Sequence, residues 1–90
     1  MMPPHINEVR VEGLVVELRG WTFAMTKPEI ELRDATGTVV PVAVQFHGEW
    51  HGTGDLPGSR QQRSVARLVL PGPGAYTVHA LDEVWPVQAT

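Results

Sequence analysis

The chain contains no cysteine, so neither a disulfide nor a thiolate metal site can reinforce its fold, and no cysteine nucleophile is available. No run of about 18 apolar residues occurs, which excludes a helix spanning a bilayer. Basic charge is also short. With a net charge of -3, the chain lacks the cationic surface that displaces counterions from phosphates, and nucleic acid is not an expected partner. The start, Met1-Met2-Pro3-Pro4-His5, has neither the basic opening nor the apolar stretch of a secretory signal. What remains is a chain of 90 residues, one domain's worth. A domain of that size buries about 60 to 65% of the surface its unfolded chain exposes.

Punctuation is plentiful: nine Gly and eight Pro cut the sequence into short segments, a spacing that suits strands and not helices. In Glu8-Val9-Arg10-Val11-Glu12 charge and valine alternate, which predicts a strand with both valines on one face. Gly13 separates it from a second strand, where Leu14, Val16 and Leu18 share one register and Val15, Glu17 and Arg19 the other. A third strand follows Pro28, with Ile30 and Leu32 alternating with Glu29, Glu31 and Arg33. Asp34-Ala35-Thr36-Gly37 has the residue preferences of a type I turn and predicts a hairpin into a fourth strand, residues 38–46. Val40, Val42, Val44 and Phe46 line one side of that strand. Pro41, on the other phase, cannot donate to a ladder, which marks an edge.

Residues 47–62 carry four Gly and one Pro without periodicity and read as a long loop, a feature often functional when it exceeds about 12 to 15 residues. Strand alternation resumes at Ser64, Ala66, Leu68 and Leu70, breaks at Pro71-Gly72-Pro73-Gly74, and returns at Tyr76, Val78 and Ala80. A last segment, residues 84–89, holds Trp85 and Val87 in phase. The expectation is seven antiparallel strands in two sheets that cover each other, formed by residues 6–90 behind a flexible tail, residues 1–5.

The segment Leu70-Pro71-Gly72-Pro73-Gly74-Ala75-Tyr76-Thr77-Val78 resembles the turn and penultimate strand of immunoglobulin-like and fibronectin type III-like domains, as Glu29 to Gly37 resembles the third strand and hairpin of bacterial and phage modules of that kind. The resemblance implies an all-β, seven-stranded immunoglobulin-like sandwich, with the Tyr76 hydroxyl bonded back to the corner backbone. It implies no particular activity, because this fold hosts many.

Catalytic sets are hard to assemble. Serine occurs only as Ser59 and Ser64, neither in a Gly-x-Ser-x-Gly elbow, and His79 alternates with apolar residues in a strand that turns it to solvent. Glu29 and Glu31 read as a solvated charged face with Arg33. His47-Gly48-Glu49-Trp50-His51 offers two weak metal candidates, His47 and His51. The zinc logic of His-Glu-x-x-His requires a helix, however, and here the glutamate is one place late. No catalytic residue and no cofactor is expected. Five residues stand as binding candidates. Trp21 and Trp50 are large aromatics whose faces suit sugar rings or protein interfaces, and Arg60, Arg63 and Arg67 carry guanidinium forks suited to carboxylates. Trp85, in phase with Val87, reads as core.

Three functions fit this reading. The first is a non-enzymatic module docking on a protein partner in a larger assembly, like the accessory proteins that decorate phage capsids or join tail parts, with a cytoplasmic or virion location and no membrane. The second is a carbohydrate-binding module using Trp21 or Trp50, and the third a small metalloprotein using His47 and His51. A domain cut from a longer secreted protein fits the same residues.

Overall fold

The computed structural model describes residues 3–51 and 61–90. It is an all-β sandwich of two antiparallel four-stranded sheets. One sheet has the order β1-β2-β6-β5, built from β1 (His5–Glu12), β2 (Val15–Trp21), β6 (Gln61–Val69) and β5 (Gln45–His51). The other has the order β4-β3-β7-β8, built from β4 (Val39–Val40), β3 (Glu31–Asp34), β7 (Gly74–Ala80) and β8 (Glu83–Ala89). A one-turn helix, α1 (Phe23–Thr26), lies in the connection from β2 to β3.

The period-two pattern explains the core. Val16 and Leu18 of β2, with Ala66 and Leu68 of β6, face Leu32 of β3, Val78 and Ala80 of β7, and Val87 and Ala89 of β8. All are buried, so the two inner faces form one hydrophobic cluster. Val9 and Val11 are partly buried against it, as the alternation in β1 requires. Trp85 shares this phase, packs on the core, and leaves its indole N–H without a partner among the described residues. Gly20 is fixed by crowding: a Cβ there would overlap the His5 carbonyl of the neighbouring β1, beside the register shift between Ile6 and Glu8.

Two turns form as their residues dictate. The Gly37 N–H donates to the Asp34 carbonyl at 3.0 Å, while the Asp34 carboxylate accepts from the Thr36 and Thr38 N–H groups and the Thr36 hydroxyl. Those donors hold the Asp34 carboxyl below the usual carboxylate range, the Thr36 hydroxyl contributing most. At the 70–74 corner, the Tyr76 hydroxyl donates to the Gly72 carbonyl at 2.9 Å. This ties β7 to the corner that carries the chain out of β6.

The structure departs from the expected strand list in three places. Residues 38–46 are not one strand: β4 ends at Val40, and the chain crosses over residues 41–44 to become β5 of the opposite sheet. Pro41 marks that crossing, and β4 and β5 are both sheet edges. The expected long loop over 47–62 gives way to strand at both ends: residues 47–51 continue β5 and β6 begins at Gln61, which pairs with His51, while 52–60 lie outside the described residues. Among the described residues, eight strands therefore replace seven. The third departure is α1. Thr22 and Lys27, both left-handed, bend the chain into and out of this single turn, and the Lys27 N–H donates to the Phe23 carbonyl at 2.8 Å. Phe23 is fully buried, so the turn closes one end of the core with an aromatic plug. Pro28 then prevents the helix from continuing.

Candidate functional site

The register of the first sheet collects most of the predicted binding residues on its outward face. Antiparallel pairing sets Arg10 opposite Glu17 and Glu17 opposite Arg67, which in turn lies opposite Gln45. One row along, Glu8, Arg19, Val65 and His47 stand side by side, and beyond them Trp21 lies opposite Arg63 and Arg63 opposite Glu49. Residues opposite one another in a ladder share a face, so Trp21, Arg63 and Arg67 belong to one surface.

Glu17 is the centre of that surface. Its side chain is only 14% exposed, and it receives hydrogen bonds from Arg67 at 2.8 Å and from the Arg19 guanidinium. The Arg67 bond, seconded by Arg19, holds the Glu17 carboxyl below the usual carboxylate range, against a smaller opposing effect of burial. Arg63 takes a different partner. Its guanidinium carbon lies 5.3 Å from the centroid of the Trp21 ring, a cation–π arrangement that keeps the indole half-buried. Two shallow depressions sit between these groups. The larger, about 630 Å³, is lined by Glu17, Arg19, Gln45, Phe46, His47, Val65 and Arg67. The smaller, about 260 Å³, is bounded by Asn7, Glu8, Arg19, Gly20, Trp21 and Arg63. Arg19 is common to both.

Trp50 is not part of this face. It lies opposite Gln62 on the inward phase of β5, and 52% of it is exposed. Arg60 lies outside the described residues. For His47 and His51, the strand backbone sets positions four apart at about 13 Å, against about 6 Å in a helix, so the spacing is not that of a helical ligand pair; the side chain of His51 lies outside what is described. His47 instead approaches Glu49 on its own strand at 3.3 Å.

Against known proteins the comparison is negative. The chain matches no family model, no curated protein and no solved structure.

Sequence reasoning missed Glu17, Arg19, Gln45 and Val65 as members of the site. Glu17 and Arg67 are fifty positions apart, and only the β2–β6 pairing shows that they meet. On the opposite sheet, the Thr77 hydroxyl and His79 Nε2 lie 3.0 Å apart, a contact the strand's alternation allows and the sequence reading did not nominate. It brings a hydroxyl to an imidazole on an open sheet face, half-buried, with Glu31 opposite His79 and engaged by Arg33 at 3.0 Å. Ser64 is fully buried, its hydroxyl accepting from the Ala24 N–H at 2.9 Å. Among the described residues, no group of three His, Asp or Glu side chains is placed to hold a metal ion.

Proposed function

We propose that this chain is an immunoglobulin-like module that works without catalysis, docking a protein partner on the outward face of the β1-β2-β6-β5 sheet as an accessory part of a larger assembly, such as a phage virion. Strand order supports the immunoglobulin-like reading. With β1, β2, β6 and β5 taken as A, B, E and D, and β3, β7 and β8 as C, F and G, the two sheets follow the ABED and CFG arrangement, with β4 an added edge beside C. The hydrogen bond from Tyr76 to Gly72 at the E–F corner supports it further.

The observation that carries the docking reading is the Trp21–Arg63 stack beside the Glu17–Arg67 pair on one sheet face. Tryptophan and arginine dominate the binding energy of protein interfaces. The charges around them alternate: Arg10, Arg19, Arg63 and Arg67 are interspersed with Glu8, Glu12, Glu17 and Glu49. Such a mixed surface complements another protein's polar surface better than a uniformly charged polymer. The test is capture of a partner from lysate of the producing organism by the immobilised domain, titrated for affinity. Trp21→Ala and Arg63→Ala each weaken capture about tenfold or more, whereas Arg33→Ala on the opposite face leaves it unchanged. Capture indifferent to Trp21 and Arg63 contradicts the proposal.

One observation favours a second reading. The Trp50 indole is 52% exposed, as a sugar-stacking platform requires. Affinity electrophoresis through gels containing polysaccharides tests it. Retardation abolished by Trp50→Ala would establish carbohydrate binding, and unaltered mobility would remove that reading.

A further inference from the structure

Among the described residues, the four sheet edges are not equally protected. Edges that must not pair with other chains are kept short, bulged or interrupted by proline. In β1 the register shifts between Ile6 and Glu8. The β4 strand is two residues long and runs straight into Pro41. Pro86 sits in the middle of β8. The β5 strand has none of these devices: seven residues, Gln45–His51, pair with β6 in unbroken register, without proline or lysine.

We propose that β5 is the edge along which a second copy of this chain pairs, antiparallel and centred on Gly48, joining two β1-β2-β6-β5 sheets into one continuous sheet. The sequence of β5 is self-complementary about that point. Pairing through a two-fold axis at Gly48 sets Phe46 opposite the partner's Trp50 and His47 opposite the partner's Glu49, each twice. Phe46 and Trp50 lie on the inward phase of the strand, and the pairing covers the exposed Trp50 with an aromatic neighbour of the kind favoured across antiparallel ladders. His47 and Glu49 lie on the outward phase, already in contact at 3.3 Å within one chain. Around the axis they bring acid and imidazole of both chains together. Gly48 stands at the axis, and the space a Cβ would need on its inward side is filled by the Gln62 side chain. A two-fold interface demands that residue i meet j while j meets i, and β5 meets that demand in both phases. The inference goes beyond the docking reading and does not depend on it.

Sedimentation velocity from micromolar concentrations to about 1 mM tests it. The wild type passes from monomer to dimer over that range, while Trp50→Lys and Glu49→Arg remain monomeric with melting temperatures close to wild type. Val84→Lys, on an edge strand of the other sheet, still dimerises. Register is read separately, since the chain has no native cysteine. Paired positions in an antiparallel ladder have Cα atoms about 4.5 to 5.5 Å apart, within reach of a disulfide. A mixture of His47→Cys and Glu49→Cys chains therefore forms the mixed disulfide on oxidation, and His47→Cys alone does not cross-link. A wild type monomeric throughout, or a dimer indifferent to both β5 substitutions, overturns the proposal. A dimer in which His47→Cys links to itself overturns the pairing about Gly48.

Discussion

The outward face of the β1-β2-β6-β5 sheet and that of the β4-β3-β7-β8 sheet carry similar residues held in different ways. On the first, pairs within a strand, such as Glu17 with Arg19 and His47 with Glu49, are joined by contacts that cross strands: Glu17 of β2 is bound by Arg67 of β6, and Arg63 of β6 covers Trp21 of β2. On the second, they run along strands, Glu31 with Arg33 and Thr77 with His79, each two residues apart. A pair within one strand forms wherever that strand is extended and fixes nothing beyond it. A pair between strands exists only once the sheet is assembled, and it holds the side chains of both strands in one geometry. Surfaces ordered in advance lose less entropy on binding, and this is the ground on which we propose the first face, rather than the second, for docking.

The contrast breaks most severely at Gly20. Its substitution by valine forces β1 away from β2 and should cost about 3 kcal/mol or more in urea denaturation, by strain at a packed site. Gly72→Ala, where nothing lies within 4 Å of the added Cβ, should leave the midpoint nearly unchanged. An intermediate effect comes from Tyr76→Phe, which removes the donor to the Gly72 carbonyl at a cost of about 1 kcal/mol and leaves the face of the first sheet intact. The smallest effect is in pH. The folded-state Glu17 carboxyl is held below its unfolded value, so its contribution is present above the ordinary glutamate range and lost as pH falls through the folded value. Glu17→Gln should melt slightly below wild type at neutral pH, with the gap closing in acid; Asp34→Asn follows the same sign through its turn. A gap that widens in acid would contradict the Arg67 assignment.

Much of this arrangement is legible in the sequence. Strict alternation placed Val9, Val11, Val16 and Leu18 inward, the Asp34 to Gly37 turn formed as its residues require, and Tyr76 found the corner carbonyl. The split of residues 38–46 was hidden because both inner faces look onto one core. Val40 packs there from one sheet, Phe46 from the other, and Val42 and Val44 between them, so the alternation runs unbroken through the crossing. The far half of β5 was hidden for the opposite reason. As an edge whose inward phase holds Gly48 and a half-exposed Trp50, it shows no apolar rhythm. Of the candidate site, Trp21, Arg63 and Arg67 were nominated by residue type alone. Their meeting with Glu17 and Arg19 depended on β2 and β6 being neighbours, which no local pattern records.

The central claim, that the partner docks on the first face and not the second, can be read with two matched probes. Val69 on the first face and Val84 on the second are 58% and 57% exposed, and the chain has no cysteine to interfere. Single-cysteine variants at these positions, alkylated in the presence and absence of the captured partner, report which face is covered. Slowed labelling at Val69→Cys with unchanged labelling at Val84→Cys is the expected result, and protection of Val84→Cys alone would contradict it.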